Sequence, residues 1–243
     1  MRNLVIDIGN TLQKCAAFED GTLLWSKKSV RFTRLDWENV LQENAFGHAI
    51  VSVVGECDEK VLDFVAARVP LLRFSRELQL PVTLAYQTPE TLGSDRIAAV
   101  AGAWALYPDE NVLVIQAGTC LVCDFLTADG RYLGGSIAPG LRMSLEALHH
   151  YTAHLPLLEP ANPHDFIGTS TETSILNGVR NSIVDAINAT IVRYKEKFGK
   201  IRVLLTGGDA AYLENSIKNA IFANSNLVLI GLEKILEINV KDE

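Results

Sequence analysis

An α/β protein assembled from two similar halves is the fold class the sequence predicts. Three observations predict it. Runs rich in β-branched residues alternate with stretches of helical periodicity along the chain. The segment beginning at Leu4 returns 109 residues later without a gap. The 243 residues are 48% hydrophobic and 21% charged, a composition that buries a core without disulfide or metal support.

Asn3–Ile8 (NLVIDI) reads as a strand. Leu12–Phe18 and Thr22–Val30 read as the next two, joined through the turn signal Glu19-Asp20-Gly21. Ala49–Val54 is a buried-strand run, and Asp58–Arg68 is a short amphipathic helix. Ser94-Asp95-Arg96 opens a helix over Ile97–Leu106 with Ser94 as its cap, and Pro108 closes it. Asn111–Gln116 is a strand. Ile175, Val179, Ile183, Ile187, Ile191, Tyr194 and Phe198 keep a helical beat after Thr171, and Gly199 stands at the natural stop. Lys200–Thr206 is a further strand, ending in Gly207-Gly208. Lys241-Asp242-Glu243 reads as a charged tail.

In the repeat, LVIDIGNTLQKCAAFEDGTLL overlies LVIQAGTCLVCDFLTADGRYL. Leu4, Val5, Ile6, Gly9, Leu12, Asp20, Gly21 and Leu24 meet Leu113, Val114, Ile115, Gly118, Leu121, Asp129, Gly130 and Leu133. Strand composition can produce some of these matches by chance; the glycines and the Asp-Gly turn at one offset are harder to dismiss. The repeat predicts domains over 1–110 and 111–243, each opening with a strand, a glycine loop and a second strand. Related by a pseudo-dyad, the two loops would face each other across an inter-domain cleft that holds a ligand.

Charge narrows the function. With 29 acidic and 22 basic side chains the net charge is −7, which excludes a general nucleic-acid binder. No polybasic run recognises an anionic membrane, and no apolar stretch is long enough to span one. Asp7 interrupts the first apolar run, so that run is not a secretory signal. Cys15, Cys57, Cys120 and Cys123 are too few for a secreted disulfide framework and read as reduced thiols of a cytoplasmic protein.

Asp7-Ile8-Gly9-Asn10-Thr11 places a carboxylate at a strand end before a glycine turn. Such a turn lets backbone N–H groups approach an anion, and the carboxylate would hold Mg²⁺ or its waters. Lys14 lies on the same strand face as Leu12 and could reach a phosphate. A plain hairpin with an Asx turn explains a lone motif of this kind; the second copy, Gln116-Ala117-Gly118-Thr119, favours the functional reading. In Gly93-Ser94-Asp95-Arg96, Asp95 can accept an alcohol proton and Arg96 can hold a carboxylate, although on these four residues alone an ordinary helix cap with a surface ion pair is the better explanation. Gly134–Gly140 and Thr206-Gly207-Gly208-Asp209 are weak glycine motifs. Cys120-x-x-Cys123 points to opposite faces of a strand, and His149, His150 and His154 read as solvated or capping residues, not zinc ligands.

Taken in order, DIGNT, GSDR, the second glycine loop, GGSIAPG followed by Leu148 and HLP, GTSTETSILNG and TGGDA resemble the type III pantothenate kinases of the acetate-and-sugar-kinase/actin superfamily. The resemblance implies duplicated ribonuclease-H-like (actin-like ATPase) domains with mixed sheets, a homodimer, and ATP- and Mg²⁺-dependent phosphorylation of pantothenate to 4′-phosphopantothenate, the first step toward coenzyme A. It assigns Asp7, Ile8, Gly9, Asn10, Thr11, Leu12, Gln13, Lys14 and Thr119 to ATP. Asp95 becomes the proton acceptor, and Tyr86, Gly93, Ser94, Asp95, Arg96 and Thr171 bind pantothenate, Thr171 from across the dimer interface. It also implies a monovalent cation, K⁺ or NH₄⁺. Gln116 stands where the family usually has the aspartate that holds it, and an amide oxygen coordinates K⁺ without the charge of a strong site. Two rivals remain: a kinase of another small alcohol or acid, and a non-catalytic accessory or regulatory protein on the same fold.

Overall fold

The computed structural model describes residues 1–43, 45–162, 166–218 and 221–240, so the Lys241–Glu243 tail lies outside the described residues. In chain order the elements are β1 (Arg2–Ile8), β2 (Gln13–Glu19), β3 (Thr22–Ser29), α1 (Arg34–Glu43), β4 (His48–Val53), α2 (Glu59–Ala66), β5 (Leu71–Arg73), β6 (Thr83–Leu84) and α3 (Ser94–Leu106). There follow β7 (Val112–Ala117), β8 (Cys120–Leu126), β9 (Arg131–Pro139), α4 (Leu141–His150), α5 (Thr171–Phe198), β10 (Arg202–Thr206), α6 (Ala210–Leu213), β11 (Phe222–Ala223) and α7 (Leu227–Val240). The strands and helices read from periodicity are present, with ends displaced by one or two residues, where hydrogen bonding and not side-chain pattern decides.

The chain forms two compact units, Met1–Glu110 with Leu126–Leu133 and Asn226–Glu243, and Asn111–Phe125 with Gly134–Ser225. This division differs from a single cut after residue 110 because α7 packs on α3, β1 and β4. In the first unit the strand order is β3-β2-β1-β4-β5, antiparallel through the β1–β2–β3 meander and parallel from β1 through β4 to β5. The second sheet reads β9-β8-β7-β10-β11, parallel from β7 through β10 to β11, and β6 pairs with the Arg131–Tyr132 end of β9, which is counted with the first unit. Both sheets thus have the strand order of a ribonuclease-H-like domain, so the sequence repeat is a repeat of topology.

Local chemistry explains the turns. Asp20 (φ 48°) and Gly21 (φ 74°) both take left-handed backbone, as a two-residue type I′ hairpin turn between right-twisted strands requires. A capping box at Ser170 and Thr173 starts the 28-residue α5, and Gly199 (φ 74°) ends it. Ser94, expected to cap α3, does not: Gly93 is the N-cap and makes no side-chain bond, while Ser94 is the first helical residue.

In the first unit Leu4, Ile6, Ile8, Cys15, Ala49 and Val51 turn one sheet face to a core shared with Trp37, Leu62 and Val65. On the other face α3 and α7 meet backbone to backbone. A Cβ on Gly231 would stand 1.7 Å from the Ala98 carbonyl oxygen, and one on Gly102 2.2 Å from that of Leu227. In the second unit Leu113, Ile115, Val203 and Leu205 pack against Ile183, Ile187 and Ile191 of α5.

A buried carboxyl sits where α7 crosses β1. Glu233 is 3% exposed, and its Oε1 accepts a 2.9 Å hydrogen bond from Asn3 Nδ2, while Glu233 Oε2 and Asn3 Oδ1 are buried without partners. Two acceptors cannot satisfy one another; a proton on Glu233 supplies the missing donor. Burial, against the opposing Asn3 hydrogen bond, pushes this carboxyl up to about 7. Its contribution to stability is therefore complete below the unfolded value of 4.5 and is lost as pH rises toward 7. Glu233→Gln keeps a donor at all pH values. It should raise the melting temperature at pH 8 by roughly 3–8 °C and flatten its decline between pH 5 and 8; identical melting profiles for the two proteins would contradict a protonated Glu233.

Candidate active site

The first site is built on the open end of β1. Asp7 is opposite Lys14 on β2 and beside Ser52 on β4, and Lys14 is opposite Lys28 on β3. Register partners share a sheet face, so Ser52, Asp7, Lys14 and Lys28 form a row across four strands. Asp7 is 8% exposed and its Oδ1 has no hydrogen-bond partner. Burial pushes its carboxyl up to about 6, with Asp95 pushing in the same direction and Lys14 opposing both. Burial also lowers the Lys14 ammonium, which Asp7 partly restores. A buried carboxylate oxygen without a donor, near a second carboxylate, suits a hydrated divalent cation, so these residues fit Mg²⁺.

Beyond Asp7 the chain turns at Gly9, whose N–H donates to the Leu12 carbonyl at 3.1 Å. Gly55 braces this turn from below. A Cβ there would lie 2.3 Å from the Gly9 carbonyl oxygen, and the N–H groups of Val54 and Gly55 both donate to Ile8 O. Gly9 is partly exposed, and Asn10 and Thr11 are exposed on the tip, where their backbone can meet an anion. Ile8 and Gln13 are buried, Leu12 is partly so, and Gln13 Oε1 accepts from the Phe32 N–H at 2.8 Å.

The start of α3 supplies the second carboxylate. Ser94 Oγ and Ser52 Oγ share a 2.8 Å hydrogen bond, which ties α3 to the strand beside Asp7. Ser52, fully buried, escaped the sequence reading; the signal was a lone hydroxyl within the apolar run AIVSVV. A Cβ on Gly93 would come within 2.5 Å of Asp95 Oδ1, so the carboxylate folds back over Gly93. Arg96, 6% exposed, lies over the Tyr86 ring at 5.6 Å, and Tyr86 stacks on Tyr132 with ring centroids 6.2 Å apart. The structure therefore gathers Asp7, Lys14, Ser94 and Asp95 through contacts or charge, and links Arg96 to Tyr86.

The second unit repeats the turn without its carboxylate. Gly118 N–H donates to Cys120 O at 3.1 Å. Two glycines brace the turn: a Cβ on Gly140 would stand 2.0 Å from Gly118 O, and one on Gly207 (φ 103°) 2.1 Å from Ala117 O. The weak motifs GGSIAPG and TGGDA thus acquire a shared role as backbone contacts of this turn. Gln116 replaces the carboxylate position, and its buried Nε2 has no acceptor. An unmet amide donor can meet an anionic oxygen, and the amide oxygen beside it is neutral, so this residue offers a monovalent cation no charged ligand. Burial raises the nearby Asp209 carboxyl, against Arg142.

Thr171, exposed at the start of α5, lines a groove of about 1150 Å³ with Leu148, Tyr151, Leu155, Ile175 and Val179. His149 lies in the last turn of α4 with Nδ1 2.7 Å from Leu155 O, and among the described residues no group of three or more His, Cys, Asp or Glu side chains is placed to hold a metal. All four cysteines are free, and no described helix is long and apolar enough to cross a membrane.

A family profile described as type III pantothenate kinase matches residues 3–193. A type III pantothenate kinase of Christiangramia forsetii is 44% identical over 241 residues, covering 98% of each chain. One from Flavobacterium johnsoniae is 38% identical over 99% of each. Among solved structures, a Baf family protein from Campylobacter jejuni superimposes with a TM-score of 0.62 at 22% identity, covering 98% of this chain and 99% of that one. The activator of the 2-hydroxyisocaproyl-CoA dehydratase from Clostridium difficile does so with 0.55 at 12%, covering 100% and 97%. The two structural likenesses support the actin-like ATPase fold.

Proposed function

The chain belongs to the type III pantothenate kinases, enzymes that phosphorylate pantothenate with ATP and a divalent metal at the entry to coenzyme A biosynthesis, and on that premise we propose which of its residues do the work. Asp95 accepts the proton of the pantothenate primary hydroxyl as that oxygen attacks the γ-phosphorus in line. The transition state is loose, so a weak base taking the proton late is enough. The turn over Gly9, Asn10 and Thr11 holds phosphate oxygens through its backbone, Lys14 adds a cation, and Thr119 contacts ATP from the second glycine turn. Asp7 holds Mg²⁺ through water; that ion neutralises phosphate charge when bound. Tyr86, Gly93, Ser94, Arg96 and Thr171 hold pantothenate, with Arg96 directed to its carboxylate.

The observation that carries this reading is electrostatic: Asp7 has a buried unpartnered oxygen and feels Lys14 and Asp95 together. Asp95→Asn keeps the shape and loses the base. Turnover should fall about 10²–10⁴-fold while ATP affinity in equilibrium titration stays within about twofold of wild type; near-normal turnover would remove the assigned role.

No charged ligand for K⁺ or NH₄⁺ is supplied by Gln116, and we propose that the enzyme turns over equally in K⁺ and in Na⁺. Loss of rate in Na⁺ alone would return the cation to the mechanism. We propose a cytoplasmic location, which the four free thiols support.

We further propose that the α4–α5 groove is the homodimer face, through which Thr171 reaches the partner's pantothenate. Its apolar lining and the 83% exposed Tyr151 favour burial against a second copy. Sedimentation should give twice the chain mass, and Leu148→Asp should halve it; a wild-type monomer that retains turnover would oppose this.

A further inference from the structure

The cross-strand row has one member with no assigned part. Lys28 is the penultimate residue of the edge strand β3, exposed and directly opposite Lys14, which in turn faces Asp7. Lys28 has no ion pair among the described residues, and its charge acts against that of Lys14. Like charges at opposed positions of an antiparallel pair destabilise the sheet. Asp7 lies beyond Lys14, one strand further from Lys28, so it compensates the nearer ammonium first. The neighbouring lysine differs: Lys27 points to the other face, where its ammonium lies 5.2 Å from the Trp25 ring centroid.

An anion placed over β2 and β3 would remove this repulsion, and the Gly9–Thr11 turn sets where an anion lies. We infer that Lys28 is a second phosphate-binding cation of the nucleotide site, contacting the polyphosphate together with Lys14. This rests on the proposed assignment of the first glycine turn to ATP. Neighbouring strands are about 4.8 Å apart, so the two ammonium groups on flexible stems can close on adjacent phosphoryl groups of one chain. Lys28 is solvent-exposed, whereas Lys14 is half-buried opposite Asp7. Its contribution is that of a point charge, sensitive to salt.

Calorimetric titration of the full-length protein with Mg·ATP and with adenosine tests this. Lys28→Gln should weaken Mg·ATP binding about tenfold, leave adenosine binding unchanged and reduce the salt dependence of the ATP affinity. Lys28→Arg should restore binding to within about twofold, and Lys27→Gln should match wild type. Turnover should show a raised KM for ATP and an unaltered KM for pantothenate. Equal ATP affinity in wild type and Lys28→Gln overturns the inference and leaves the site assignment standing, provided Lys14→Gln loses affinity. Parallel loss of adenosine binding also overturns it, since that marks a distorted fold. Failure of wild type to bind Mg·ATP overturns the site assignment and Lys28 with it.

Discussion

The first unit depends on how closely two helices approach. Where α3 and α7 cross, Gly102 and Gly231 each face backbone of the other helix, with no room for a Cβ on either. That approach seats α3 against the sheet and sets the height of its N-terminus over β1 and β4. Asp95 is carried on that N-terminus, so its distance from Asp7 is a packing result before it is a catalytic one. Ser52 completes the constraint by tying Ser94 to the strand beside Asp7. Alanine-rich α3, buried along most of its length, suits a helix that serves as a spacer.

The two glycine turns show duplication followed by divergence. Each follows a central strand, and each has its carbonyls pressed by glycines from elsewhere in the chain: Gly55 against Gly9, Gly140 against Gly118, Gly207 against Ala117. Such contacts hold peptide groups in place without side chains. The charge differs between the copies. The first presents Asp7 with Lys14, and the second presents the neutral Gln116 with an unpaired donor. A carboxylate suits a hydrated cation, whereas an amide donor suits an anionic oxygen, so the two turns differ in the ligand chemistry they offer.

The first unit also holds two carboxyls at a cost. Glu233 and Asp7 are both pushed up by burial, yet their surroundings differ. Glu233 has an amide that completes a neutral acid–amide pair when the acid is protonated. Asp7 has an unpaired oxygen, a lysine and a second carboxylate, an arrangement that a bound cation relieves. One buried acid is a fastening between α7 and β1; the other is left unsatisfied where a ligand is expected.

Much of this was legible in the chain itself. Strand and helix periodicity, the 109-residue repeat, the Asp-Gly turns and the family motifs are local or near-local features, and local sterics carry them into structure unchanged. Asp7, Asp95 and Gly93 were recognisable because their motifs are contiguous. The assignment of Ser94 as a cap misjudged its partner, since a hydroxyl at a helix start gives no sign that Ser52 lies opposite. Packing of α7 with the first unit, the glycines pressed on each turn and the Asp7–Lys14–Lys28 row required tertiary structure. Each depends on strand register or on backbone contact between residues far apart in sequence, and periodicity within a segment carries no information about which segment lies beside it.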